Sequence, residues 1–144
     1  MNNFLSKTFI TKSSKETKQL GKNFAKTLKS GDVICLYGNL GGGKTTFTQG
    51  LSEGLGIKEK IISPTFIIIR SYPDNNFYHV DLYRVDSEQN LINLGLEEIL
   101  NDSSSIVVVE WAEKLKSFMP KKRIDVRFSL EGENSRKITF SLAH

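Results

Sequence analysis

The chemistry in this sequence is concentrated in one turn. Gly38-Asn39-Leu40-Gly41-Gly42-Gly43-Lys44-Thr45 satisfies the pattern G-x-x-x-x-G-K-[ST] at every fixed position. Glycines let a backbone fold tightly and turn its N–H groups inward, as a nest for anionic oxygens. A helix starting at Lys44 would add the positive end of its dipole. Lys44 supplies a point charge for β- and γ-phosphates, and the Thr45 hydroxyl is a ligand suited to Mg²⁺. Leu40 and the neighbouring Thr46 belong to the same cradle.

A phosphate loop needs acids for the metal and the attacking water, and two acids end apolar strands. Glu110 closes Ile106-Val107-Val108-Val109 in the manner of a Walker-B acid, and Asp81 follows Phe77-Tyr78-His79-Val80. In a parallel sheet the carboxyl ends of the strands share an edge with the loop, so Glu110 would face the nucleotide. The plainer alternative for each is a surface carboxylate or a structural ion pair, with Arg84 available to Asp81. Between loop and acids, Ser63-Pro64-Thr65-Phe66 has a stiff proline and a Thr65 hydroxyl that fits a switch segment reaching the γ-phosphate. Taken without context, an ordinary turn is the slightly better account.

The elements around these residues are legible. Val33 to Tyr37 is an apolar run too short for a helix and reads as a buried strand entering the loop, and a helix follows from Lys44 to Leu55. Ahead of them a helix is expected from Ser14 to Lys29, with Ser13 and Glu16 at capping-box spacing and Gly31 as its stop. Leu20, Phe24 and Leu28 share one face of it; Lys15, Lys18, Lys22, Lys26 and Lys29 lie opposite. Phe66–Arg70 and Phe77–Leu82 read as strands joined by Tyr72-Pro73-Asp74-Asn75-Asn76. An acidic helical stretch, Leu91–Leu100, precedes the strand ending at Glu110. Ile124 to Leu130 and Ile138 to Leu142 alternate as a hairpin about Glu131-Gly132-Glu133-Asn134. The expected architecture is a single α/β domain over residues 1–144, P-loop NTPase-like, with a mainly parallel sheet flanked by helices and some antiparallel strands.

Length and composition agree. The chain has 144 residues, 38% hydrophobic and 25% charged, which fits one globular domain. Its one cysteine, Cys35, sits inside the Val33–Leu36 run and reads as a small buried hydrophobe. No segment approaches the roughly 20 apolar residues of a membrane helix, and Met1–Lys7 lacks the apolar core of a secretory signal. With an unpaired thiol, this favours the cytoplasm. The net charge of +4 is segregated: seven lysines and one acid lie between Lys7 and Lys29, eight acids and one base between Asp81 and Glu113. The lysine stripe is either a solvated face or a contact with RNA or an acidic partner.

The sequence lacks the Asn-Lys-x-Asp of guanine recognition, an Asp-x-x-Gly switch, a transporter signature and the protein-kinase set, and its one internal histidine, His79, does not suffice for a hydrolase triad. Two rivals stay open. One is a small-molecule kinase, for which Lys121-Lys122-Arg123 is a weak lid; the other is a binding module whose partner affinity is set by ATP.

The blocks Gly38–Phe47, Ser63–Phe66, Tyr78–Arg84 and Val109-Glu110-Trp111 together resemble one bacterial family, the ATPase of tRNA threonylcarbamoyladenosine biosynthesis known as TsaE or YjeE. The resemblance covers nearly the whole chain. It implies ATP hydrolysis with Mg²⁺ in support of modification of adenosine 37, as an accessory to a complex of two actin-like-fold proteins, one of them the transferase. It implies Lys44 and Thr45 at phosphate and Mg²⁺, Glu110 and Asp81 as acids of the metal site, and a role for Trp111, for which a half-buried anchor at the strand end is an equally good account. Contact with tRNA would be indirect or weak, and no membrane is involved. Thr11 and Arg136 are expected near the adenine. Asn39 stands where the family usually has aspartate and Gly42 where it often has alanine, which leaves the backbone cradle intact and alters its rim.

Overall fold

The computed structural model describes residues 3–39, 41, 43–59 and 68–144. In chain order its elements are β1 (Lys7–Thr11), α1 (Ser14–Ala25), β2 (Val33–Tyr37), α2 (Lys44–Gly54), β3 (Ile69–Tyr72), β4 (Phe77–Asp81), α3 (Glu88–Asn93), α4 (Leu96–Leu100), β5 (Ile106–Glu110), β6 (Arg123–Leu130) and β7 (Arg136–Ala143). One seven-stranded sheet runs β1-β7-β6-β2-β5-β4-β3.

The strand that feeds the loop lies at the middle of this sheet. β2 pairs in parallel with β5 on one side and β6 on the other, and β4 pairs in parallel beyond β5. Strands covered on both faces need unbroken apolar runs, which is what Val33–Leu36 and Ile106–Val109 provide. Antiparallel strands flank this centre, β7 and β1 beyond β6, and β3 beyond β4. The parallel centre with antiparallel edges is the architecture expected from the sequence.

Alternation along the strands sorts the core into two layers. Ile34, Leu36, Val108 and Val126 pack under α1 and α2 with Phe24, Phe47 and Leu51. Val33, Cys35, Val107 and Val109 face Leu91, Leu96 and Leu115 on the other side. Cys35 is fully buried, and that burial pushes its thiol up to about 12, so it behaves as an apolar residue.

α1 and α2 approach until backbone meets backbone. A Cβ built on Gly50 would lie 1.9 Å from the Lys18 carbonyl oxygen, and one on Gly21 would lie 2.2 Å from that of Phe47. Only glycine permits this contact, and it holds α2, with Lys44 and Thr45 in its first turn, against the sheet.

Four expectations are corrected. The strand expected over Phe66–Arg70 is β3, Ile69–Tyr72, so Tyr72 ends the strand and does not open the turn, while Phe66 lies outside the described residues. The first helix ends at Ala25 rather than Lys29: Thr27 and Leu28 donate to carbonyls three residues back, and the Thr27 hydroxyl takes the Phe24 carbonyl at 2.7 Å. These tighter turns close the helix early, and the Gly31 N–H bonds Ser105 instead. The Leu91–Leu100 stretch is two helices, broken at Gly95 with φ +68. β1, which was not expected, is a polar edge strand whose pattern carries little apolar signal. The Ser13 cap forms as expected, with the Glu16 N–H donating at 3.1 Å, while the Glu16 carboxylate accepts from the Lys12 N–H at 2.8 Å.

Candidate nucleotide site

β2 runs out at Tyr37 and the chain turns through glycine. Gly38 has φ +145, and a Cβ there would stand 2.7 Å from the Phe128 carbonyl oxygen, so neither the conformation nor the space admits a side chain. Gly43, at φ +100, is the N-cap residue of α2, and among the described residues no side chain caps this helix. The amides of its first turn are left to the loop, which is how helix starts bind anions.

Lys44 points back into this turn. Its side chain is buried, its ammonium donates to the Gly38 carbonyl, and the same nitrogen stands 3.8 Å from the centre of the Trp111 ring. Desolvation pushes the Lys44 ammonium below its usual range, opposed by the carboxylates of Glu110, Glu113 and Asp81. Trp111 takes a left-handed φ of 58, so the chain turns sharply where β5 ends.

The two acids lie side by side. The register of β4 on β5 pairs Asp81 with Glu110 directly, and both are buried. Glu110 Oε1 accepts from the Thr45 hydroxyl at 3.3 Å. Its other oxygen, Oε2, lies 2.6 Å from His79 Nε2. Asp81 Oδ1 accepts the Tyr83 N–H at 3.0 Å. Burial raises the Asp81 carboxyl above its ordinary value, the Tyr83 N–H pulling the other way and Glu110 adding to the rise.

A cavity of about 660 Å³ collects these groups. Gly41, Gly43, Lys44, Thr45, Thr46, Asp81, Glu110, Trp111 and Arg136 all line it, as do Thr17, Tyr83, Arg84 and Asn134 from other elements. Arg136 also donates to the Gly41 carbonyl at 3.1 Å, which ties β7 to the loop. Thr11 stands one layer back, its hydroxyl 2.6 Å from that of Thr17. Asn39 is exposed at the start of the loop. Leu40, Gly42 and Thr65 lie outside the described residues. The lysines at 15, 22, 26 and 29 are exposed, while Lys18 pairs with Glu53 at 3.0 Å.

In the sequence His79 figures only within the Tyr78–Arg84 block and as the one internal histidine, with no role in the site. The signal was there: it sits two residues before Asp81, on the same face of the strand. Thr17 and Asn134 carried no comparable signal, because only tertiary packing brings α1 and the β6–β7 turn to the loop.

A parallel-centred sheet, an uncapped helix behind a glycine turn, and paired acids at the carboxyl ends of adjacent strands define a P-loop-like nucleotide-binding class. Comparison with known proteins narrows this class. Residues 11–138 match the family described as threonylcarbamoyl adenosine biosynthesis protein TsaE, and this chain belongs to that family. The tRNA threonylcarbamoyladenosine biosynthesis protein TsaE of Bacillus subtilis is 41% identical over 133 residues, 91% of this chain and 82% of the relative. The protein of the same name from Treponema pallidum is 33% identical over 131 residues, 90% of this chain and 96% of its own length. The crystal structure of Bacillus subtilis YdiB is similar with a TM-score of 0.82 at 36% identity, covering 96% of this chain and 86% of that one.

Proposed function

We propose that this chain is a Mg²⁺-dependent ATPase that supports formation of N6-threonylcarbamoyladenosine at position 37 of tRNA. The observation that carries this reading is the meeting of Thr45 with Glu110 beside the buried Lys44 in one cavity. Two oxygen donors 3.3 Å apart form the hard donor set that suits Mg²⁺. An uncapped α2 behind a glycine turn suits the phosphates. Thr45 and Glu110 would hold the ion, with Asp81 as the second acid of the site. When bound, Mg²⁺ neutralises charge on the phosphate oxygens.

The protein groups do the rest by position. Lys44 leaves the Gly38 carbonyl and the Trp111 ring for the β- and γ-phosphate oxygens, and the α2 amides hold the same charge. Water attacks the γ-phosphorus, the P–O bond to the β–γ bridging oxygen breaks with its electron pair left on ADP, and of the two water protons one stays on phosphate while the other is released to solvent. Asp81 and Glu110, adjacent in the sheet, orient that water. Arg136 and Thr17, on the cavity wall, approach the base and sugar end, with Thr11 supporting Thr17.

The names of the family and its relatives support placing this hydrolysis in threonylcarbamoyladenosine biosynthesis. The partners are the two actin-like-fold proteins of the threonylcarbamoyl transferase complex, and hydrolysis supports repeated turnover of that complex in the cytoplasm. The test is reconstitution of tRNA modification from the partner pair, tRNA and ATP. Many rounds per transferase are expected with this protein and at most about one with Lys44→Ala. Equal turnover with and without it would remove the assignment.

A further inference from the structure

We propose that His79 is a positioning residue that sets the orientation of the Glu110 carboxylate toward Thr45, and thereby the site's hold on its divalent cation. The inference rests on the Mg·ATP reading above.

His79 is 1% exposed, in the middle of β4. The parallel register sets it opposite Val108, so its ring reaches diagonally across the ladder to Glu110, two residues further along β5. The two oxygens of Glu110 are thereby divided. Oε2 meets His79 Nε2 at 2.6 Å, and Oε1 faces the Thr45 hydroxyl at 3.3 Å. Glu110 is the last residue of its strand and is followed by the left-handed Trp111, so its side chain has no further strand residue to hold it in line. At 2% exposure, the carboxylate relies mainly on protein partners for its hydrogen bonds. Without the imidazole one buried oxygen loses its hydrogen bond, and the carboxylate turns to recover it, taking Oε1 away from Thr45. Asp81 for its part accepts the Tyr83 N–H at 3.0 Å.

The experiment compares His79→Gln, whose amide reaches the position of Nε2, with His79→Asn, which falls short, and His79→Leu, which offers no polar atom. Mn²⁺ affinity is read by electron paramagnetic resonance in the presence of ADP, and ATP affinity is read separately in EDTA. The Leu and Asn variants are expected to lose about tenfold or more in Mn²⁺ affinity while metal-free ATP binding stays within about twofold. The Gln variant is expected to recover most of the loss, and kcat should follow the Mn²⁺ affinity. Wild-type Mn²⁺ affinity in the Leu or Asn variant, or equal losses in all three, would overturn the proposal. If the Leu variant does not fold, the Gln and Asn pair decides; if none folds, the role is structural and the proposal falls. Failure of the unmodified protein to take up Mn²⁺ with ADP would instead count against the Mg·ATP reading.

Discussion

The ammonium of Lys44 stands 3.8 Å from the centre of the Trp111 ring while it donates to the Gly38 carbonyl. The charge that would bind phosphate is therefore held by an aromatic face and a backbone oxygen of the loop itself. Trp111 is the one tryptophan of the chain, so its emission reports on this contact. Mg·ATP should draw Lys44 off the ring and change Trp111 fluorescence. Lys44→Ala should remove most of the response and weaken ATP binding about tenfold to a hundredfold, as expected for loss of a charge-assisted hydrogen bond. Because Lys44 is a desolvated cation, the melting temperature should stay level or rise. A full-sized fluorescence change in Lys44→Ala would contradict this account of the contact.

Glu110 should separate binding from chemistry. Glu110→Gln keeps the shape of the side chain and should retain ATP within about tenfold while slowing phosphate release roughly a hundredfold or more. Glu110→Ala should lose hydrolysis as well and unfold more easily by about 1–3 kcal/mol, because it strands the buried His79 nitrogen. Phosphate release and thermal melts on the two variants check both statements.

Asp81 makes a prediction in pH. Its folded carboxyl is raised, chiefly by burial, so between the ordinary aspartate value and the raised one the folded state binds more protons than the unfolded state. Stability of the nucleotide-free protein then falls as pH rises through that window. Asp81→Asn, which keeps an acceptor for the Tyr83 N–H, removes this loss. Its melting temperature should exceed the parent's at neutral pH, and the difference should shrink toward zero as pH drops below the ordinary aspartate range. A difference independent of pH would assign the effect to something other than ionisation.

The α1–α2 contact can be tested away from the cavity. Alanine in place of glycine normally favours a helix by about 1 kcal/mol. At Gly50 the added Cβ meets the Lys18 carbonyl at 1.9 Å, so Gly50→Ala should instead destabilise by about 2 kcal/mol or more. Chemical denaturation measures it. ATP affinity should fall too, since α2 carries Lys44 and Thr45.

The sequence revealed what depends on neighbours in the chain. The Val33–Tyr37 run, the glycine turn and the start of α2 follow one another without a gap, so the loop could be read directly. Asp81 and Glu110 were legible because each closes an apolar run, although their direct pairing is a matter of sheet register. His79 was missed because its partner lies on another strand. Gly21 and Gly50 carry no signal of their own along the chain; their use shows only once the helices are packed together. Gly95 breaks its helix at φ +68, yet apolar spacing continues on both sides of it, so periodicity alone reads through the break.

The central claim is that the turn before Lys44 grips a triphosphate. Calorimetric titration of the purified protein with Mg·ATP tests it most directly. The account predicts saturable heat at a single site, with the affinity about tenfold to a hundredfold lower in Lys44→Ala. No heat at millimolar Mg·ATP, or equal affinity in that variant, would contradict it.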